Sequence, residues 1–347
     1  MAIRVGLNGF GRTGRAIFRE AKRRQVPFNF NLINDVADPA LLAANLRLDS
    51  VHGAYVKRLV NILDDPQGNK VLKFGEDHIR LMGERDNAKL PWKELGTDVV
   101  IDTTGAFKTR EAIEAHLKAG TKKIIVYPPP PFAVDLSVVM GVNEGLLTGR
   151  ENVISAGSCT TNVSALMAKL LDDKFGIEML FITAVHAFTS DQRLLDYPHP
   201  DVRRSRAAGL SIIPTTTSAG VGVEQIIPSL KGKVFTAAHR VPIPDGSIAD
   251  LMFEAKRPTS VAEINKLFEE AAQDENYKDI MEYTTDPLVS VDIVGNHHSA
   301  VFDAGLTQAV DDTFFKVSAW FDNELGYANR VIDLILKLDG LGAQVWS

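Results

Sequence analysis

The residue best suited to nucleophilic chemistry is Cys159, the only cysteine among the 347 residues of the chain. It follows an apolar run at 151–155 and precedes a helix-forming stretch at 163–171. The start of a helix offers free N–H groups and partial positive charge, which lower the pKa of a thiol and can hold an anion beside it. The pattern therefore predicts a nucleophilic cysteine; the alternative is the small buried residue that most single cysteines are.

A glycine-rich motif near the N-terminus predicts a dinucleotide-binding turn. Gly9, Gly11 and Gly14 follow a short strand at 3–7 and open an amphipathic helix. Such glycines allow a tight turn, a close approach of the backbone to a pyrophosphate, and packing of the helix on the strand. A second strand ends at Asp35, where a ribose-binding acid is expected about 20 residues past the glycines. A carboxylate there repels a 2′-phosphate and favours NAD; the alternative is a plain turn with an N-capping aspartate.

Composition argues against several classes of protein. Hydrophobic and charged fractions of 45% and 24% are those of an ordinary globular protein, and the length predicts two domains. A net charge of −6 gives no support for binding to nucleic acid or a membrane. One cysteine allows no disulfide within the chain, and with no signal peptide or long apolar stretch the expected location is cytoplasmic. No metal site is expected, since His297 and His298 lie in a turn typical of a solvated loop.

The first part of the chain alternates strands and helices, which predicts a doubly wound parallel sheet. Thr104 follows the strand at 99–102, at the carboxyl edge where ligands bind in such sheets. A polar, hairpin-like region is expected at 57–81. We therefore predict an α/β fold with a Rossmann doubly wound parallel sheet domain at 1–157, completed by a C-terminal helix at 324–347.

The pattern changes near residue 158. Longer alternating segments predict strands at 181–188, 233–241, 249–254, 290–293 and 314–321. Helices are expected near 163–174, 218–228 and 260–273. The second predicted domain, at 158–323, is an α+β catalytic domain with a mostly antiparallel sheet.

A series of motifs spans the chain. It includes Asn-Gly-Phe-Gly-Arg-Thr-Gly-Arg at 8–15, Ser-Cys-Thr-Thr-Asn at 158–162, Val-His-Ala-Phe-Thr at 185–189 and Trp-Phe-Asp-Asn-Glu-Leu-Gly-Tyr at 320–327. In these motifs the chain resembles the phosphorylating glyceraldehyde-3-phosphate dehydrogenases over essentially its full length. The resemblance implies NAD as cofactor, glyceraldehyde 3-phosphate and inorganic phosphate as substrates, and a homotetramer.

The resemblance also implies roles for individual residues. Cys159 would attack the aldehyde carbon, and His186 would stabilise the thiolate and accept the hydroxyl proton as hydride leaves for NAD⁺. The implied cofactor-binding residues are Gly9, Gly11, Arg12, Thr13, Gly14, Asp35, Arg85, Thr104, Tyr127 and Asn323. Those implied for the substrate phosphate are Thr189, Asp191 and Arg240, and those for the attacking phosphate are Ser158, Thr160, Arg203 or Arg204, Thr217 and Ser218.

The chain departs from the family pattern at several positions. Tyr127 begins a Tyr-Pro-Pro-Pro-Pro run where the family usually has Ser-Ala-Pro beside the nicotinamide ribose. Ser218 stands where a glycine is usual, and Val163 stands where many relatives have a second cysteine. The catalytic pair and the phosphate residues are retained, which indicates a divergent member of the family rather than an inactive relative.

Two other functions are compatible with parts of the sequence. Erythrose-4-phosphate dehydrogenase shares this architecture and is favoured by the segment 197–208, whereas Thr189 and Thr217 favour glyceraldehyde 3-phosphate. A non-catalytic role on nucleic acid or a cell surface finds no support in the net charge or in any motif.

Overall fold

The computed structural model describes residues 2–55, 60–128 and 133–346. Residues 129–131 of the proline run and residues 57–59 of the expected hairpin therefore lie outside the described residues. Packing divides the chain into two compact units. The first comprises Met1–Val138, Leu146–Gly157 and Val331–Ser347, and the second comprises Val139–Gly145 and Ser158–Arg330. Over the described ranges, no helix combines the length and apolar character needed to cross a membrane.

The first unit alternates strands and helices. Its strands are β1 (Ile3–Asn8), β2 (Phe28–Asn34), β3 (Leu48–Asp49), β4 (Gly53–Ala54), β5 (Val60–Asp64), β6 (Lys70–Phe74), β7 (Asp77–Met82), β8 (Val99–Asp102), β9 (Lys123–Val126), β10 (Leu136–Ser137) and β11 (Val153–Ser155). Its helices are α1 (Arg12–Arg23), α2 (Pro39–Arg47), α3 (Trp92–Leu95) and α4 (Arg110–Lys118).

These strands form a sheet in the order β10-β11-β9-β8-β1-β2-β7-β6-β5, apart from β3 and β4, which pair with each other. Neighbours from β10 to β7 are parallel, whereas β5, β6 and β7 pair antiparallel. The central strands are buried throughout, as expected of a parallel sheet with both faces covered. The predicted doubly wound parallel sheet is confirmed.

The second unit carries longer strands. Its elements are α5 (Cys159–Phe175), β12 (Ile177–Ala187), β13 (Ile213–Thr215), α6 (Ala219–Ile226), β14 (Val234–Val241), β15 (Ser247–Ala255), α7 (Val261–Gln273), β16 (Met281–Thr284), α8 (Ser290–Ile293), β17 (Ala300–Asp303), β18 (Gln308–Ala309) and β19 (Phe314–Phe321). The sheet order is β13-β14-β12-β15-β19-β17-β16, with β18 beside β19. Only β12–β14 and β16–β17 pair parallel among the described strands, so the predicted mostly antiparallel sheet is confirmed.

The C-terminal helix α9 (Leu325–Gly340) follows β19. Short 3-10 helices lie at Asn87–Lys89, Glu144–Leu146, Arg203–Ser205, Ala208–Leu210, Pro228–Leu230, Ala304–Leu306 and Ala343–Trp346.

The strand predicted at 290–293 is wrong, because this segment forms the short helix α8. The carboxylate of Asp292 accepts a hydrogen bond from the backbone N–H of Val289 at 2.9 Å, which stabilises a helical turn. In so short a segment, local capping outweighs the alternation of apolar residues. The strand at this edge of the sheet is β16, which pairs with β17.

A buried carboxylate lies in the β3–β4 hairpin. Asp49 Oδ1 accepts hydrogen bonds from the N–H groups of Val51 and His52 at 2.8 and 3.0 Å, and Arg12 Nη2 lies 3.3 Å away. Burial raises the pKa of Asp49, but these hydrogen bonds and the guanidinium outweigh it and lower the pKa to about 2.

Asp49→Asn is expected to lower the free energy of unfolding by about 2 kcal/mol at neutral pH, because the wild-type carboxylate has a lower pKa in the folded state. This stabilisation is present above the unfolded pKa of about 4 and disappears as the pH falls towards 2. Urea unfolding of both proteins from pH 7 to pH 2 measures the difference. A constant difference across this range would contradict the assignment.

Candidate active site

The nucleophile and the histidine lie side by side in the second unit. Cys159 begins α5 and His186 is near the end of β12, and both side chains are buried. Cys159 Sγ lies 3.3 Å from His186 Nε2. The predicted pairing of these two side chains is therefore present in the structure, at hydrogen-bonding distance.

Two contacts of His186 bear on its tautomer. Nδ1 lies 2.7 Å from the carbonyl oxygen of Ala187, which can only accept, and also contacts Arg240 Nη1, which can only donate, so the two contacts favour opposite tautomers. In the tautomer with the proton on Nδ1, Nε2 is an acceptor facing the thiol. The ring also packs edge-on against Phe321, with 5.8 Å between centroids. This arrangement lets Nε2 take the proton of the thiol without rotation of the ring.

Burial and the nearby charge of Arg240 shift the pKa values of this pair. Nη1 of Arg240 contacts Nδ1 of the imidazole and donates a hydrogen bond to the Ala187 carbonyl at 3.2 Å. Burial, and then the Arg240 charge, lower the pKa of His186 to about 3. Burial also raises the pKa of the Cys159 thiol, although Arg240 and hydrogen bonds from Thr160 act in the opposite direction. The sequence prediction of a lowered thiol pKa considered only the helix terminus and omitted burial, which dominates in this structure.

Two helix N-termini meet beside Cys159. Ser158 caps α5, its Oγ accepting the N–H of Thr161 at 3.0 Å, and Thr160 lies in the first turn. The first turn of α6 packs closely against α5, because a Cβ on Gly222 would lie 2.9 Å from the Thr161 side chain. Thr217 and Ser218 immediately precede α6. Adjacent helix N-termini lined by hydroxyls are suited to hold an anion.

The loop after β12 brings together more of the predicted phosphate residues. Asp191 forms an ion pair with Arg204, and His199 Nε2 lies 3.3 Å from the same carboxylate. Burial raises the pKa of Asp191, but the hydrogen bonds from Arg204 and His199 outweigh it and lower the pKa. Arg204 also donates to the Thr216 carbonyl at 3.0 Å, next to Thr217.

Thr189 and Arg203 lie in the same stretch of chain. The N–H and hydroxyl of Thr189 both donate to Gln192 Oε1, at 2.9 and 3.2 Å. Arg203 begins a 3-10 helix and is exposed, whereas Arg204 is held by its ion pairs. Of the two arginines considered for the phosphate, Arg204 is therefore the one with a fixed position.

Asn323 is positioned by a serine that the sequence analysis missed. Ser247 Oγ donates to Asn323 Oδ1 at 2.7 Å and accepts the N–H of Ala187 at 3.0 Å. The Asn323 amide is thereby oriented and tied to the strand that carries His186. The sequence did contain an indication of this role. Ser247 alternates along β15 with the buried residues Ala249, Leu251 and Phe253, and a buried polar side chain needs a hydrogen-bond partner.

The glycine motif forms the turn that a dinucleotide requires. Gly9 has φ of +90°, and a Cβ on Gly14 would lie 2.3 Å from the Gly9 carbonyl, so both positions require glycine. A Cβ on Gly11 would meet no atom within 4 Å, which leaves open space before α1. Arg12 and Thr13 begin this helix, whose N-cap makes no side-chain hydrogen bond. The turn and the start of this helix fit a pyrophosphate.

The other predicted cofactor residues lie mainly at strand ends of the same unit. Asp35 accepts the N–H groups of Phe10 and Ala37 at 2.7 and 2.9 Å, so its carboxylate is fixed beside the glycine turn. Thr104 follows β8, and Tyr127 follows β9. Arg85 is exposed in the loop after β7.

Comparison with known proteins agrees with this geometry. Residues 3–110 match the family model described as glyceraldehyde 3-phosphate dehydrogenase, NAD binding domain, and residues 158–323 match its C-terminal domain. The glyceraldehyde-3-phosphate dehydrogenase of Mycobacterium avium is 43% identical over 340 residues, covering 96% of this chain and 98% of that protein. The enzyme of the same name from Streptomyces coelicolor is 42% identical over 335 residues, with 96% and 98% coverage. The chain therefore belongs to the glyceraldehyde-3-phosphate dehydrogenase family.

Proposed function

We propose that this chain catalyses the NAD-dependent oxidation of glyceraldehyde 3-phosphate with uptake of inorganic phosphate, giving 1,3-bisphosphoglycerate, a step of glycolysis and gluconeogenesis. The observation that carries the proposal is the 3.3 Å contact between Cys159 Sγ and His186 Nε2 beside two helix N-termini. The family to which the chain belongs supports the same reaction.

The first half of the reaction uses the catalytic pair. His186 Nε2 takes the thiol proton as Cys159 Sγ bonds to the aldehyde carbon. His186 then donates this proton to the former carbonyl oxygen, which gives a thiohemiacetal. His186 next accepts the hydroxyl proton as the carbon loses hydride, which leaves a thioester on Cys159. Bound NAD⁺ supplies the hydride acceptor.

The second half releases the product. An oxygen of inorganic phosphate attacks the thioester carbon, and the carbon–sulfur bond breaks to give the acyl phosphate and the Cys159 thiolate. The thiolate is the leaving group, and protonated His186 returns its proton to it. Water is disfavoured as a competing nucleophile because both side chains are buried.

We assign two groups of residues to the two anions. For the substrate phosphate these are Thr189, Asp191 and Arg240, and for the attacking phosphate Ser158, Thr160, Arg204, Thr217 and Ser218. An anion beside Arg240 would offset the positive charge that lowers the pKa of His186, so substrate binding would make the imidazole a stronger base.

The domain assignment and the coenzyme-binding residues are part of the proposal. We assign coenzyme binding to the domain at 1–157, completed by the C-terminal helix 324–347, and catalysis to the domain at 158–323. The glycine turn would hold the pyrophosphate and Asp35 the adenosine ribose, and the resemblance assigns Asn323 to the nicotinamide carboxamide.

A homotetramer is part of this proposal. On the sheet of the second unit, the face opposite the buried Leu180 and Ile182 exposes Phe181 and Phe235, which are aligned in register. Apolar side chains grouped on one exposed face are typical of a subunit interface. Sedimentation equilibrium should give about four times the 38.0 kDa chain mass, and Phe235→Glu should give smaller species. A wild-type protein of single-chain mass would contradict the tetramer.

The single cysteine supports a cytoplasmic enzyme, which fractionation of the source cells would test.

The decisive experiment measures NADH formation from glyceraldehyde 3-phosphate and from erythrose 4-phosphate, with and without inorganic phosphate. We expect turnover of glyceraldehyde 3-phosphate that depends on phosphate. Relatives that are 41–43% identical carry the name of that dehydrogenase, so the erythrose 4-phosphate alternative is not favoured. Faster turnover of erythrose 4-phosphate would overturn the assignment.

A further inference from the structure

Three neighbouring strands of the first unit end in buried polar residues. Asn34 ends β2, Asn8 ends β1 and Asp102 ends β8, and Asn8 is aligned in register with each of the other two. Their side chains are 3%, 1% and 2% exposed. Burial of three polar groups in a parallel sheet is costly unless each has partners, and no step of the proposed chemistry uses them.

Hydrogen bonds join these side chains in series, and each amide donates to the next residue. Asn34 Nδ2 donates to Asn8 Oδ1 at 2.7 Å, and Asn8 Nδ2 donates to Asp102 Oδ2 at 2.9 Å. The Asn34 amide also pairs with the backbone of Glu84, through two bonds of 2.8 Å. Because each amide has a donor and an acceptor engaged, both orientations are determined.

A histidine and a tryptophan continue the series. His116 on α4 is fully buried, and its Nδ1 lies 2.9 Å from Trp92 Nε1. An indole N–H can only donate, so Nδ1 is the acceptor and Nε2 carries the proton. Nε2 lies 3.1 Å from Asp102 Oδ2 and donates to it. We call Asn34, Asn8, Asp102, His116 and Trp92 the polar ladder.

Asp102 is the centre of the ladder. Its Oδ2 receives hydrogen bonds from Asn8 and His116, and its Oδ1 receives the N–H and hydroxyl of Thr104 at 2.9 and 2.7 Å. Burial raises the pKa of Asp102, but the bonds from His116, Thr104 and Asn8 lower it overall, so the group is a carboxylate. Its position is thus determined by donors on both oxygens.

The loops assigned to coenzyme binding start at these same strand ends. The carbonyl of Asn34 accepts the N–H of Gly9 at 2.8 Å, and the carbonyl of Asp102 accepts the N–H of Tyr127 at 2.8 Å. Asp35 directly follows Asn34, and Thr104 is held by Asp102 itself. A shift of any ladder side chain would therefore move residues on several sides of the coenzyme site together.

We propose that the polar ladder is a positioning device that holds the coenzyme-binding loops of the first unit in the arrangement that binds NAD. The inference rests on the proposed function, because it assumes that these loops bind the coenzyme. The ladder residues act through Gly9, Asp35 and Thr104 and need not touch the coenzyme themselves.

Asp102→Asn tests the proposal with little change in shape. Donors approach both oxygens, so the asparagine NH₂ would face a donor in either orientation, and the ladder would have to rearrange. We expect the Kd for NAD, measured by isothermal titration calorimetry, to rise at least about tenfold, the effect of one badly paired buried group. In the wild type, ¹⁵N NMR should show His116 protonated at Nε2.

Asp98→Asn is the matched control. Asp98 directly precedes β8, is also buried, and pairs with Arg4 and Lys122 at 3.1 and 3.2 Å at the opposite end of the strand. We expect Asp98→Asn to lower the unfolding free energy measured with urea and to leave the Kd for NAD within about twofold of wild type. Equal changes of Kd in both variants, or none in Asp102→Asn, would overturn the proposal.

A second pair of variants covers the case in which Asp102→Asn does not fold. His116→Gln can keep a donor towards Asp102, whereas His116→Leu keeps the volume and loses the donor. NAD affinity should be lost in the leucine variant and largely retained in the glutamine variant; equal affinities would overturn the proposal. If the wild type itself binds no NAD, the proposed function fails instead, so the two failures are distinguishable.

Discussion

Cys159→Ser is expected to abolish the phosphorylating dehydrogenase activity. A serine hydroxyl is far less acidic than a thiol and is a poor leaving group, so neither attack on the aldehyde nor release of the acyl group to phosphate would proceed. The variant should still bind NAD with the wild-type Kd, because the glycine turn and Asp35 belong to the first unit. Activity would be followed as NADH absorbance, and binding by calorimetry. A Cys159→Ser enzyme with appreciable turnover would refute the assignment of the nucleophile.

Replacing His186, the partner of Cys159, should lower the dehydrogenase activity less than Cys159→Ser does. His186→Asn removes the acceptor at Nε2, and we expect acylation to slow by ~10²–10⁴, the usual range for loss of a general base. His78→Asn, at an exposed position on β7, is the matched control and should leave kcat unchanged. Single-turnover measurement of NADH formation isolates the acylation step. Loss of activity in both variants would point to a general effect of histidine replacement.

The parts of the site that could be predicted are those written in contiguous motifs. The glycine turn, Asp35 and the strand-to-helix position of Cys159 each depend on local spacing. In the structure they lie at a tight turn, after a strand end and at a helix start, and their roles in binding and catalysis stay predictions. His186 required the resemblance, because a histidine in an apolar strand is usually structural. Its pairing with Cys159 depends on how β12 packs beside α5, which no local pattern encodes.

The parts that could not be predicted depend on packing between segments that are distant in the sequence. Ser247 meets Asn323 because β15 and β19 pair antiparallel, with Ser247 opposite Phe321. The polar ladder likewise joins residues 94 positions apart, from Asn8 to Asp102. The raised pKa of the Cys159 thiol is also a consequence of burial, which a helix terminus alone does not reveal. Tertiary packing supplies all three features.

We expect Arg240 to link substrate recognition to catalysis. Its guanidinium contacts the His186 ring and the Ala187 carbonyl, so the charge of the residue assigned to the substrate phosphate adds to burial in lowering the pKa of His186. A free aldehyde without a phosphate would leave this charge in place and meet a weaker base. Selectivity for phosphorylated aldehydes should therefore be visible in the acylation rate as well as in binding.

The coenzyme preference is the second large effect. Asp35 is held by the N–H groups of Phe10 and Ala37, so its carboxylate cannot easily move away from a 2′-phosphate on the adenosine ribose. NADP would meet a like charge and lose the ribose hydroxyl that the carboxylate accepts from. We expect kcat/KM to be at least ~100-fold lower with NADP than with NAD, equivalent to roughly 2.7 kcal/mol.

Asp35→Asn should narrow this preference, because it removes the repulsion of NADP and weakens the bond to NAD. Asp38→Asn is the matched control. It removes a carboxylate three residues beyond Asp35. In the wild type, Asp38 Oδ1 caps α2 by accepting the N–H of Ala40 at 2.8 Å. The control should keep the wild-type ratio of kcat/KM values, since charge alone at that distance is screened by solvent. Equal kcat/KM with both coenzymes in the wild type would mean that Asp35 does not face the ribose.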